Sequence, residues 1–194
     1  MLANAQHRNG RPRNRLRPFV WGAAALLLLL PAIAMQFTSE VDWDETDFIV
    51  MGVLLFGSAG IYEVATRMSA NRAYRAGVGL AVVTSFLLVW INLAVGVIGN
   101  EDNPANLMFF GVIGIAIVGS ILARFRAAGL ANAMFAAAAA QGLVAVITII
   151  IGWGLMEPPG AAGLVMLILF FAVLWLLCAA LFRRAAEDES RTAG

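Results

Sequence analysis

The chain contains no lysine, a single histidine (His7) and a single cysteine (Cys178). Each scarcity removes a class of chemistry. Without lysine there is no Schiff base to form. With its one imidazole in a basic N-terminal stretch, the chain cannot supply two axial histidines to a haem, an imidazole-ligated metal inside an apolar segment, or the base of a serine protease dyad. One cysteine allows no internal disulfide. No phosphate-cradling P-loop is present either: Gly57-Ser-Ala-Gly60 lies inside an apolar run and reads as helix packing. Charge is also sparse, at 13% of residues against about 25% in a typical soluble domain. These absences argue against an enzyme, a cofactor and a nucleic-acid partner.

What the chain has in abundance is apolar side chain. Hydrophobic residues make up 61% of it and the mean hydropathy is +0.85, more apolar surface than a soluble fold of 194 residues could hide. A helix needs about 20 apolar residues to cross roughly 30 Å of hydrocarbon. Runs of that order occur at Phe19–Phe37, Phe48–Ala65, Ala76–Ile98, Ala105–Ala123, Ala131–Trp153 and Ala161–Phe182. They are continuous rather than alternating, which excludes the strands of a membrane barrel. The expected fold is therefore all-α, an integral membrane bundle of six transmembrane helices. A basic tail (1–17), a membrane domain (18–184) and a polar C-terminal tail (185–194) divide the chain.

Charge orients this bundle. Arg8, Arg11, Arg13, Arg15 and Arg17, then Arg67, Arg72 and Arg75, then Arg124 and Arg126, then Arg183, Arg184 and Arg191 all fall on one side of the six-segment arrangement. Glu40, Asp42, Asp44, Glu45, Asp47, Glu101, Asp102 and Glu157 fall on the other. Basic residues in short loops stay inside, so both termini are expected in the cytoplasm, with the arginine face attractive to anionic lipids of the bilayer. A second reading of the first segment stands beside this one. The arginine-rich start, the run Trp21–Leu30 and Ala32-Ile33-Ala34 also fit a secretory signal peptide cleaved near residue 34, which leaves the remaining topology unchanged.

Loop chemistry marks several boundaries. Asn103-Pro104 places a side-chain acceptor at an N-cap and proline at the first helical position, so the fourth helix should start there. Asp47 can cap the second helix. Pro158-Pro159-Gly160 should turn the chain between the fifth and sixth.

Helices two and three align with four and five. Gly52 matches Gly111, Gly60 matches Gly119 and Arg67 matches Arg126 without a gap, and Asn71 matches Asn132 with one. This fits either a parallel repeat, with helices one and six added, or chance similarity among glycine-bearing apolar helices. The pairs Ala116/Ser120 and Gly119/Ala123 are expected at helix contacts, within the chain or in a homodimer.

Polar residues at membrane depth are the remaining pointers to function. Glu63 stands one helical turn before Arg67, the favourable order for an ion pair, and is also the carboxylate that an ion or proton path would use. Gln141 falls near the centre of the fifth run and Asn92 toward the outer part of the third. Together Glu63, Arg67, Asn92 and Gln141 form a candidate polar path, while Glu101, Asp102 and Asn103 form a candidate outer-face loop. The acidic segment Glu40–Asp47 offers oxygen ligands but lacks the spacing and glycine turn of a calcium loop, so no metal site is expected there.

The stretch from Trp90 to Met108, with its Trp-x-Asn helix end and Glu101-Asp-Asn-Pro104 turn, resembles small bacterial multi-pass inner-membrane proteins to which no activity is assigned. The likeness covers roughly the central half of the chain. It implies a bacterial inner-membrane location and brings no ligand or catalytic residue. The function expected is a non-enzymatic membrane component binding a lipid or a membrane-protein partner. The alternative is a small-solute or proton permease using Glu63, Gln141 and Asn92.

Overall fold

The computed structural model describes residues 17–154, 156 and 160–193. The basic residues Arg8, Arg11, Arg13 and Arg15, with His7, and the turn residues Glu157, Pro158 and Pro159 lie outside the described residues. The described chain is helical, with no strand: α1 (Arg17–Ala34), α2 (Glu45–Met68), α3 (Arg72–Ala94), a 3-10 turn (Pro104–Asn106) leading into α4 (Leu107–Leu122), α5 (Ala127–Ile151) and α6 (Gly160–Ala193). Among the described residues five helices are long and apolar enough to cross a membrane. The first is shorter, at 18 residues or about 27 Å. It stops at Ala34 rather than Phe37, its last turn closed by the Met35 N–H on Pro31 O at 2.9 Å.

Contacts divide the chain into two units, 1–59 and 60–194. In the first, α1 runs antiparallel to the first half of α2, with Trp21 stacked on Phe56 at 6.0 Å and Leu28 against Gly52. The start of α2 corrects the expected cap. Asp44, not Asp47, is the N-cap: its carboxylate accepts the Asp47 N–H at 2.9 Å, and the Asp47 carboxylate accepts the Asp44 N–H at 3.1 Å. Trp43 meets Phe48 edge-on across this box at 5.3 Å, which fixes the entry angle of the chain.

In the second unit α6 lies between α3 and α5, and α5 in turn packs on α4. Small residues set the α4–α5 contact. A Cβ on Gly119 would sit 2.7 Å from that of Ala133, and one on Gly129 would sit 2.5 Å from that of Ala123. The Gly119/Ala123 pair therefore meets a reciprocal Gly129/Ala133 pair, and this face is used within the chain rather than between copies. The matched glycines of the two hairpins differ in surroundings: Gly60 has open space where Gly119 is crowded, and Gly111 has open space where Gly52 meets Leu28.

Along α3 and α6, Gly77 receives the Phe182 ring and Tyr74 meets the same ring edge-on at 5.5 Å. Leu164, Ile168, Phe171, Trp175, Cys178 and Phe182 are buried along one face of α6. The opposite faces of the bundle are bare apolar surface, as with Ile115, Val118, Leu122, Phe135 and Ile150, the pattern lipid-facing helices present.

The bounds of α3 and the end of α6 also differ from the hydropathy reading. Helix α3 begins at Arg72 because Asn71 caps it, accepting from the Ala73 and Tyr74 N–H groups, and it ends at Ala94, so Gly96 to Ile98 belong to a loop. Helix α6 does not stop at Phe182 but continues unbroken to Ala193, converting the expected polar tail into helix.

Candidate functional site

The polar residues of the bundle fall into an arginine-bearing end, a carboxylate-bearing end and a sparse middle. At the first, the α2–α3 connection, the α4–α5 turn and the far part of α6 are tied together. Asn71, while capping α3, donates through its amide to Asp188 of α6 at 3.2 Å. The Tyr74 hydroxyl donates to the carbonyl of Phe125 at 3.0 Å. These bonds bring Arg72, Arg75, Arg124, Arg126, Arg183 and Arg184 to one end of the unit.

The α4–α5 turn closes by a Schellman arrangement: the Phe125 N–H donates to Ser120 O at 3.1 Å and the Arg124 N–H to Ile121 O at 2.9 Å. That motif needs a left-handed residue, usually glycine. Here Arg124 (φ 50°) and Phe125 (φ 57°) both adopt it, at a cost on the order of 1–3 kcal/mol each.

Glu63 and Arg67 form the expected ion pair near this end, Glu63 largely covered and Arg67 largely exposed. Exposure screens half of this pair, so its contribution to stability is small. The other members of the candidate path are not joined to it by hydrogen bonds. Asn92 donates to Leu88 O within its own helix at 2.6 Å and stands two residues from the end of α3, nearer that end than the longer helix expected from hydropathy would have put it.

Gln141 stands ten residues before the end of α5, about 15 Å along the axis. Its side chain is wholly buried, and both amide atoms lack a hydrogen-bond partner. The buried threonines of the core avoid this state by donating to their own helix, Thr84 to Leu80 O and Thr148 to Val144 O, each at 2.7 Å. Trp175 Nε1 and Asn92 Oδ1 are likewise buried without a partner. An amide left unsatisfied in such surroundings costs about 1–3 kcal/mol, so these groups are the polar outliers of the middle.

At the opposite end the loop between α3 and α4 carries Glu101 and Asp102, both exposed. They do not enter a cleft of the kind that general acid or base chemistry would use. Asn103 has the expected capping role, accepting the Ala105 N–H at 3.0 Å with Pro104 at the first position. The hub of this loop is Asn106, which the sequence reading missed. Its Oδ1 accepts from the Val97 and Ile98 N–H groups at 3.0 and 2.9 Å, and its Nδ2 donates to Asn100 O at 2.7 Å and Ile98 O at 3.4 Å. All four valences of a buried amide are thereby used. The sharp entry to the loop is at Gly96 (φ 70°), where a Cβ would sit 2.3 Å from Asn100 O.

Among the described residues no group of three or more His, Cys, Asp or Glu side chains could hold a metal ion. In the acidic segment, Asp44 and Asp47 are engaged with the helix start. No family model, curated protein or solved structure matches the chain. Its chemistry is therefore read from its own geometry.

Proposed function

We propose that the chain is a six-span, non-enzymatic component of a bacterial inner membrane, both termini cytoplasmic, which holds anionic lipid or a membrane-protein partner at its arginine-bearing end. One observation carries this reading. Among the described residues no ion pair joins Arg72, Arg75, Arg124, Arg126, Arg183, Arg184 or Arg191 to a carboxylate, although Glu187, Asp188 and Glu189 belong to the same end. Cations gathered beside bare apolar helices and left without internal counter-ions suit an anionic membrane surface, at about 1 kcal/mol per arginine. Native mass spectrometry from mild detergent tests it. Retention of phosphatidylglycerol or a co-purifying membrane protein supports the reading, and equal retention of phosphatidylcholine with no protein partner defeats it. A second copy could be that partner, since Gly111 and Gly114 on α4 have open space around them.

The alternative is a small-solute or proton permease, favoured by the unpartnered amide of Gln141 at mid-depth. Flux in proteoliposomes that disappears in both Glu63→Gln and Gln141→Leu would select it. Wild-type liposomes as tight as protein-free ones would reject it.

A further inference from the structure

The α4–α5 turn presents two guanidiniums on a backbone held from several sides: by the Ser120 and Ile121 carbonyls, by the Arg126 N–H bond to Ala123 O at 3.1 Å, and by Tyr74 through Phe125. Arg124 and Arg126 are exposed and, among the described residues, have no carboxylate partner. From this turn an uncovered apolar stripe runs back along α4 through Leu122, Val118 and Ile115, with Leu122 78% exposed. These positions follow one another at helical spacing and so share a face.

Two unpaired cations at the head of a bare apolar stripe match a molecule with an anionic head and apolar tails. We propose that this turn is the seat of an anionic phospholipid, its phosphate between Arg124 and Arg126 and an acyl chain along Leu122 and Val118. A soluble anion would use the arginines but gain nothing from the stripe. An acidic protein segment would have to displace lipid from it. The proposal rests on the lipid-binding reading above and assigns it a location.

The test is native mass spectrometry of the whole chain in mild detergent, titrated with phosphatidylglycerol. Arg124→Gln with Arg126→Gln is expected to weaken retention by on the order of tenfold, the effect of two surface arginines, while Arg183→Gln with Arg184→Gln weakens it by about twofold. Arg126 has an ordinary backbone (φ −75°), so Arg126→Gln alone leaves the left-handed residues in place and should still lose severalfold if the double variant does not fold. Leu122→Gln should also weaken retention, and millimolar inorganic phosphate should not displace the lipid. Equal losses in both double variants, or none at the turn while wild type still retains lipid, would overturn the seat and leave the broader reading intact. Complete displacement by phosphate would remove the acyl stripe and with it the phospholipid assignment. A wild type that prefers no anionic lipid would end the broader reading as well.

Discussion

The two connections that flank α4 meet the same demand with opposite residues. Between α3 and α4 the chain enters the left-handed region at Gly96 and Gly99, where no Cβ opposes it, and the loop is then filled by one amide, Asn106. Between α4 and α5 it enters that region at Arg124 and Phe125, where a Cβ does oppose it, and a tyrosine from another helix holds the result. The first connection satisfies its own backbone groups through that amide and is covered by Gly154 after α5, which lies close against Ile98 and Gly99. The second gives up stability for two side chains, one charged and one aromatic, where glycines would be unstrained.

This contrast can be broken from either side. Asn106→Ala should have the largest effect, because it strands buried donors and acceptors together. A loss of about 3 kcal/mol is expected, read as a fall in the thermal unfolding midpoint in detergent, with Asn106→Asp retaining part of it through the acceptor that serves Val97 and Ile98. Gly96→Ala should follow at about 2 kcal/mol, combining a strained φ with a close approach to Asn100 O. Arg124→Gly should move the other way, raising stability by about 1 kcal/mol as the left-handed residue loses its penalty, while anionic-lipid retention falls. If Arg124→Gly destabilises instead, the turn is not strained in the sense argued. Tyr74→Phe should cost the least, about 0.5–1 kcal/mol for one hydrogen bond, and should speed amide exchange of residues 123–127 without affecting the loop at Asn106.

Features governed by local chemistry were legible in the sequence. The Asn103-Pro104 start, the Glu63–Arg67 pair and the small-residue face at Gly119 and Ala123 each depend on neighbours within a turn or two, or on an apolar stretch long enough to announce itself. What was hidden depends on distant partners. Asn106 looks like an ordinary loop residue beside the more obvious Asn103, because its role comes from a chain reversal eight or nine residues earlier. Arg124 carries no mark of its left-handed backbone, since that position is normally read from glycine. The shift of the α2 cap from Asp47 to Asp44 is a subtler case: both carboxylates take part, and only their reciprocal bonds tell which is outside the helix. The continuation of α6 had a signal that hydropathy ignores. Its last residues include Ala185, Ala186, Glu187 and Arg191, good helix formers that sustain a helix after the apolar run ends.

That continuation makes α6 a lever. Its 34 residues extend about 51 Å, of which roughly 16 Å lies beyond Phe182. With its face from Leu164 to Ala185 buried against the bundle, a bend beyond Ala185 would move the last two turns alone. Because Asp188 is tied to Asn71, the cap of α3 would be carried along or the tie broken.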